Sequence, residues 1–73
     1  MKVEITDGFN GTKVLYETQV ASLTSATDVI DVYARYDRRL SRCVAPHWTY
    51  TIVDKDVTIV DFGSHTVFGR ITQ

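Results

Sequence analysis

The sequence has few of the residues that cross-link or interrupt a folded chain: one cysteine, one proline and four glycines among 73 residues. A single cysteine, Cys43, excludes an internal disulfide framework, so a reducing, cytoplasmic setting is the expectation. Low glycine and proline content, with 44% apolar residues, excludes a disordered composition. We therefore expect the chain to fold as a single small domain covering residues 1–73.

The sequence also lacks a long apolar run and a strong net charge. No apolar segment approaches the roughly 20 residues that span a bilayer. The start, MKVEITDG, alternates apolar and polar residues and does not resemble a secretion signal, so no membrane partner is expected. The formal charge of −1 excludes general attraction to polyanions. Any nucleic-acid binding must therefore depend on a local patch.

Alternating apolar and polar residues predict strands at both ends of the chain. Residues 1–6 alternate, DGFNG at 7–11 indicates a turn, and 12–21 alternate again, which predicts a hairpin. After Pro46, β-branched and aromatic residues return and predict three more strands. Turns are predicted at 55–56 and, as a two-residue type II′ turn, at Gly63 and Ser64.

The middle of the chain predicts a helix. Ser25 precedes Asp28 by three residues, which is the spacing of a capping box, so we expect a helix from about Ser25 to about Cys43. A strand over 29–36 is the alternative, because apolar residues also alternate there. A helical wheel predicts a core stripe with these members: Ala26, Val29, Tyr33, Tyr36 and Leu40.

These elements predict the order ββαβββ and an α+β fold, a two-layer sandwich in which an antiparallel sheet of about five strands packs on one helix. Strand alternation predicts that the helix covers the sheet face formed by Tyr50, Ile52, Val57, Ile59 and Phe68. The other face then carries an apolar surplus: Val60, Phe62, Val67 and Ile71. Either the sheet curls and buries part of this face, or the face docks against another chain, which includes a homodimer.

That surplus gives the leading functional hypothesis, a binding surface for a protein partner. The partner-binding candidates are Val60, Phe62, Val67 and Ile71, together with Phe9, an aromatic residue at the tip of the glycine-bearing turn. Folding of Phe9 back onto the core is the alternative for that residue.

The stretch RYDRRLSRC at 35–43 suggests a second hypothesis. Its arginines form one face of the predicted helix: Arg35, Arg38, Arg39 and Arg42. They suit phosphate contacts or an acidic protein partner, but a solvated helix face is the simpler interpretation. Asp28 and Asp31 dilute the charge of that face, and Tyr33 and Tyr36 are predicted to point to the core, where they cannot stack on bases.

Catalytic and metal motifs are weak. Cys43 and His47, with His65 farther on, have side chains that zinc prefers, but no fourth ligand is indicated. The same thiol and imidazole suggest a nucleophile and base without an orienting group or an oxyanion hole. We therefore predict no enzyme activity, no metal and no cofactor.

The sequence favours a small protein-binding module that blocks a larger partner. Accessory and inhibitory proteins of viruses and mobile elements are often chains of this size. Nucleic-acid binding is the alternative.

Overall fold

The computed structural model describes residues 1–9, 13–38, 40 and 48–73, and these residues form five strands and one helix. The elements are β1 (Lys2–Asp7), β2 (Lys13–Gln19), α1 (Leu23–Tyr36), β3 (Thr49–Asp54), β4 (Val57–Asp61) and β5 (Val67–Thr72). All the strand pairs are antiparallel. The predicted order ββαβββ and the α+β sandwich are confirmed.

The sheet joins an N-terminal hairpin to a C-terminal meander. Its strand order is β2-β1-β5-β4-β3, so β1 pairs with β5 and the two edge strands are β2 and β3. Next to this junction the Gly8 N–H donates to the Thr66 carbonyl at 2.7 Å. The buried middle of the sheet therefore consists of β1, β5 and β4.

The helix begins one turn earlier than predicted. Ser22 is the N-cap: its backbone is extended, with φ −147°, and its hydroxyl oxygen accepts the Ser25 N–H at 3.1 Å. A capping hydroxyl must lie outside the helical backbone and reach an N–H two or three residues on. Ser22 meets both conditions, so the predicted cap at Ser25 is wrong.

The helix ends at Tyr36 because Asp37 adopts an extended backbone, with φ −92° and ψ 120°. The predicted continuation to Cys43 is wrong from that point; residues 39 and 41–47 lie outside the described part of the chain. In a continuous helix, Leu40 would point about 80° away from Ile30. The break at Asp37 instead accompanies burial of Leu40, which is 1% exposed in the core.

The core stripe of α1 is rotated from the predicted one. The helical residues that are buried are Ala26, Ile30 and Ala34. Tyr36, predicted to be in the core, is 85% exposed. Because two of the three buried residues are alanines, the helix axis can lie close to the sheet. The larger side chains of α1 then lie on its flank.

Gly69 on β5 provides the space for this close packing. A β-carbon on Gly69 would lie 3.2 Å from Val60 Cβ, 3.4 Å from Ile30 Cδ1 and 3.5 Å from Phe62 Cζ. Cross-strand β-carbons normally lie about 4.5–5.5 Å apart, so the Val60 contact alone is too short. The sheet is therefore notched at Gly69, directly beneath Ile30.

A β-bulge at Val53 changes which residues share a face. Asp54 pairs with Val57, as predicted for a turn at 55–56, but Ile52 then pairs with Thr58 rather than with Ile59. The extra residue moves the side chains before it to the opposite face. The prediction that Tyr50 and Ile52 share a face with Ile59 is therefore wrong.

The β4–β5 connection is longer than the predicted two-residue turn. Asp61 pairs with Phe68, which leaves residues 62–67 between the paired positions. The Ser64 hydroxyl accepts the Val67 N–H at 3.0 Å, and an Asp61 carboxylate oxygen accepts the Gly63 N–H at 2.8 Å. These side chains cap backbone groups that a tight turn would pair with each other.

The face opposite α1 also contains buried residues. Thr6, Ile59 and Phe68 are at most 9% exposed. Phe9 packs edge-to-face on Phe68, with ring centroids 5.6 Å apart. This second face is therefore partly protected from solvent.

Replacing the helix cap tests the observed helix start. Ser22→Ala removes the acceptor for the Ser25 N–H, and we expect the free energy of unfolding to fall by about 1 kcal/mol. Ser25→Ala keeps that acceptor and serves as the control, with a smaller loss. The measurement is urea unfolding followed by circular dichroism; a larger loss for Ser25→Ala would contradict the Ser22 cap.

Filling the notch tests the helix–sheet contact. Gly69→Val places three carbons where one does not fit, and we expect the free energy of unfolding to fall by about 2–3 kcal/mol, although valine favours strands. Thr72→Val, on the same strand but the opposite face, is the matched control and should change stability by less than about 0.5 kcal/mol. Equal stability of the two variants would show that the notch is not needed.

Candidate interaction surface

The four sheet residues predicted to bind a partner lie in the core. Val60 and Val67 are fully buried, and Phe62 and Ile71 are 2% exposed. Their face is the one that α1 covers, and not the predicted face that carries Ile59 and Phe68, because Val60 pairs with Gly69 directly beneath Ile30. The prediction that they form an exposed binding face is therefore wrong.

Phe9 lies at the surface beside the second sheet face. Its side chain is 47% exposed, and its ring packs nearly perpendicular to that of Phe68. The residue is thus anchored by one contact and exposed on its other side. Its role as a partner contact remains a prediction.

The arginines of RYDRRLSRC do not all lie on one helix face. Arg35 is on α1, 73% exposed, and its guanidinium pairs with the Asp31 carboxylate at 2.7 Å. Arg38 is also exposed but follows the helix end at Asp37. Arg39 and Arg42 lie outside the described residues. Tyr36, predicted to point inward, is instead exposed between Arg35 and Arg38.

An open apolar groove lies between α1 and the edge strand β2, and sequence reasoning missed it. Its volume is about 460 Å³, and its lining residues are Tyr16, Asp28, Val29, Val32, Tyr33 and Tyr36. The rings of Tyr16 and Tyr33 stack at a centroid distance of 5.7 Å and join the strand to the helix. We call this surface the α1–β2 groove.

The groove follows from how α1 is seated. Ile30 points at the sheet. Four larger side chains lie about 60–160° from Ile30 around the helix axis, all in the same direction: Tyr33, Val29, Tyr36 and Val32. Tyr16 pairs with Ile5 and so lies on the helix side of the sheet, on a strand that has no outer neighbour. The large side chains of both elements therefore meet at the sheet edge.

A sequence signal for the groove was present. Val29, Val32 and Tyr36 repeat at i, i+3 and i+7, and this second apolar stripe is separate from that of Ala26 and Ile30. A helix with two apolar stripes has more apolar surface than one sheet covers. The predicted core stripe contained residues of both stripes, so it did not reveal the second apolar surface.

The other edge strand, β3, is a second exposed surface. All six of its residues are exposed, including Ile52 at 75%. From Thr49 to Val53 it carries no charge. An uncharged edge strand is a site where another strand can add, although the bulge at Val53 distorts it.

The described residues offer no metal site. Cys43 and His47 lie outside them, and His65 is exposed in the β4–β5 loop with a positive φ of 68°. Within residues 1–9, 13–38, 40 and 48–73, no three His, Cys, Asp or Glu side chains come together as metal ligands would.

No helix in the described part of the chain has the length and apolar character needed to cross a bilayer.

Comparison of the chain with protein-family models, with curated proteins and with solved structures finds no match. Among the described residues, the α1–β2 groove combines the most exposed aromatic side chain, Tyr36, with a concave apolar shape.

A charge introduced at Phe62 distinguishes a core from an interface. Phe62→Asp places a carboxylate among apolar residues next to Trp48, 4.8 Å away between ring centroids, and removes a large buried ring. We expect a loss of about 4 kcal/mol or more, close to the whole stability of a small domain, and hence an unfolded circular dichroism spectrum.

Ile52→Asp adds the same charge at an exposed position and should remain folded. A folded Phe62→Asp protein would contradict the core assignment and would revive the interface predicted for that face.

Proposed function

We propose that this chain is a small non-enzymatic protein-binding module that recognises its partner through the α1–β2 groove. The observation that supports this most directly is the exposure of Val32 and Tyr36, 53% and 85%, on a helix that packs on the sheet through other residues, Ala26, Ile30 and Ala34. The apolar surface of Val32 and Tyr36 is available to another molecule.

The residue types of the groove suit protein recognition. Tyrosine is enriched among residues that contribute most to binding, because its ring buries a large area with few rotatable bonds. Tyr16 and Tyr33 are already held by stacking, so ordering them on binding costs little further entropy. A groove walled by these rings accepts apolar side chains of a helix or an extended peptide.

Docking alone is sufficient for an inhibitory role. A chain of this size that covers an active or assembly surface of a larger protein blocks it by steric exclusion, without any chemistry of its own. The proposal includes a reducing, cytoplasmic setting, which accords with a single cysteine.

Nucleic-acid binding is the second candidate, and exposed Tyr36 is the observation that favours it. A ring flanked in sequence by Arg35 and Arg38 supplies a stacking surface and phosphate contacts together. The adjacent Asp31 and Asp37 weaken the local positive charge, and Arg35 already pairs with Asp31. Protein recognition is therefore the preferred proposal.

Selection of peptides tests the preferred proposal. Phage displaying random peptides are selected on the wild-type protein. The selected peptides are then synthesised, and their affinities are measured by calorimetry. We expect Val32→Asp to weaken their binding by about tenfold or more, because it places a charge within the apolar contact. Helix propensities of Val and Asp are similar, so α1 should persist.

Thr24→Asp adds the same charge to α1 outside the groove lining and should leave the affinity within about twofold. Peptides that bind both variants equally would overturn the groove as the binding surface.

Nucleic-acid binding is tested by titrating a single-stranded RNA at two salt concentrations. An affinity that falls steeply with salt, and that is lost when Arg35→Ala and Arg38→Ala are combined, would favour nucleic acid instead.

A further inference from the structure

The exposed flank of α1 has the pattern of a helix that pairs with another helix. Val29, Val32 and Tyr36 are spaced as the a, d and a positions of a heptad, which lie along one seam. In that frame, Asp28 and Arg35 both occupy g positions at the border of the seam. Charged residues at such borders set the partner and the relative direction of paired helices.

Asp28 and Arg35 become complementary between two copies of the helix in one arrangement. With a rise of about 1.5 Å per residue, Asp28 lies about 6 Å before Val32 along the helix axis, and Arg35 lies about 4.5 Å after it. In a second copy that runs antiparallel about Val32, Asp28 of one copy comes level with Arg35 of the other. The two-fold axis generates this contact twice.

The apolar residues match in the same arrangement. Tyr36 lies about 6 Å after Val32, and Val29 about 4.5 Å before it, so Tyr36 of each copy comes level with Val29 of the other. The Arg35 side chain is 73% exposed, and its guanidinium contacts Asp31 through one terminal nitrogen, which leaves other donors for a second carboxylate. A parallel arrangement would place Asp28 beside Tyr33 and would lose the charge match.

We propose that the occupant of the α1–β2 groove is a second copy of this chain, in a two-fold antiparallel pairing of α1. This inference rests on the proposed function and names the partner for the same surface. One helix flank with Tyr16 is a small contact compared with the 1,200–2,000 Å² of a stable interface, so we expect a dissociation constant on the order of 10 μM.

Sedimentation velocity measured from about 1 to 300 μM tests the pairing. We expect a monomer–dimer equilibrium for the wild type, and dimerisation weakened about tenfold or more in Val32→Asp, whereas Ile52→Asp on β3 leaves it unchanged. Asp28→Arg and Arg35→Asp should each weaken self-association about tenfold or more, because each juxtaposes like charges twice. Circular dichroism confirms that each variant is folded.

Mixing the two charge variants gives the sharpest result. Asp28→Arg chains carry two arginines at the seam border and Arg35→Asp chains carry two aspartates, so the mixture should form a heterodimer within about threefold of the wild-type affinity. An antiparallel pairing that places position 28 beside position 35 predicts this recovery, whereas a parallel pairing, which places position 28 beside Tyr33, does not.

A wild-type protein that stays monomeric throughout overturns the proposal, as does a dimer that Ile52→Asp disrupts and Val32→Asp does not. A monomer that still binds selected peptides through the groove separates the two proposals: self-pairing fails and protein recognition stands. If neither a dimer nor groove-dependent peptide binding is found, both fail.

Discussion

The contact of Ile30 with the notch at Gly69 is the constraint on which the rest of the structure depends. Because β5 has no side chain at that position, α1 can lie close to the sheet on its two alanines. That seating fixes the rotation of the helix about its own axis. Val32 and Tyr36 then point away from the sheet, so the same contact that closes the core also creates the exposed groove.

The order and type of the elements were predictable because they depend on local patterns. Alternation located the strands, and the apolar period with hydroxyl and acidic residues located the helix. Register and rotation were not predictable in this way. The bulge at Val53 reverses a face by one extra residue, and the rotation of α1 depends on Gly69, a residue far away in sequence.

The same non-local effects decided which candidate sites remain. Val60 and Phe62 had the right apolar character for an interface, but their face belongs to the core. Tyr36 had been assigned to the core by a wheel that mixed two stripes, and it is the most exposed of the large apolar side chains described. Strand alternation assigned the apolar surplus to a sheet face, whereas the packing leaves it on the flank of α1.

The sheet order has a consequence for biosynthesis. The middle strand, β5, is the last element in chain order, and it pairs with β1, the first. The hairpin and the meander therefore share no sheet until the chain has been synthesised through β5, and closing so distant a pair is a slow step. Until then the edge of β1 that pairs with β5 has backbone N–H and C=O groups without strand partners, and such an edge can pair with another chain.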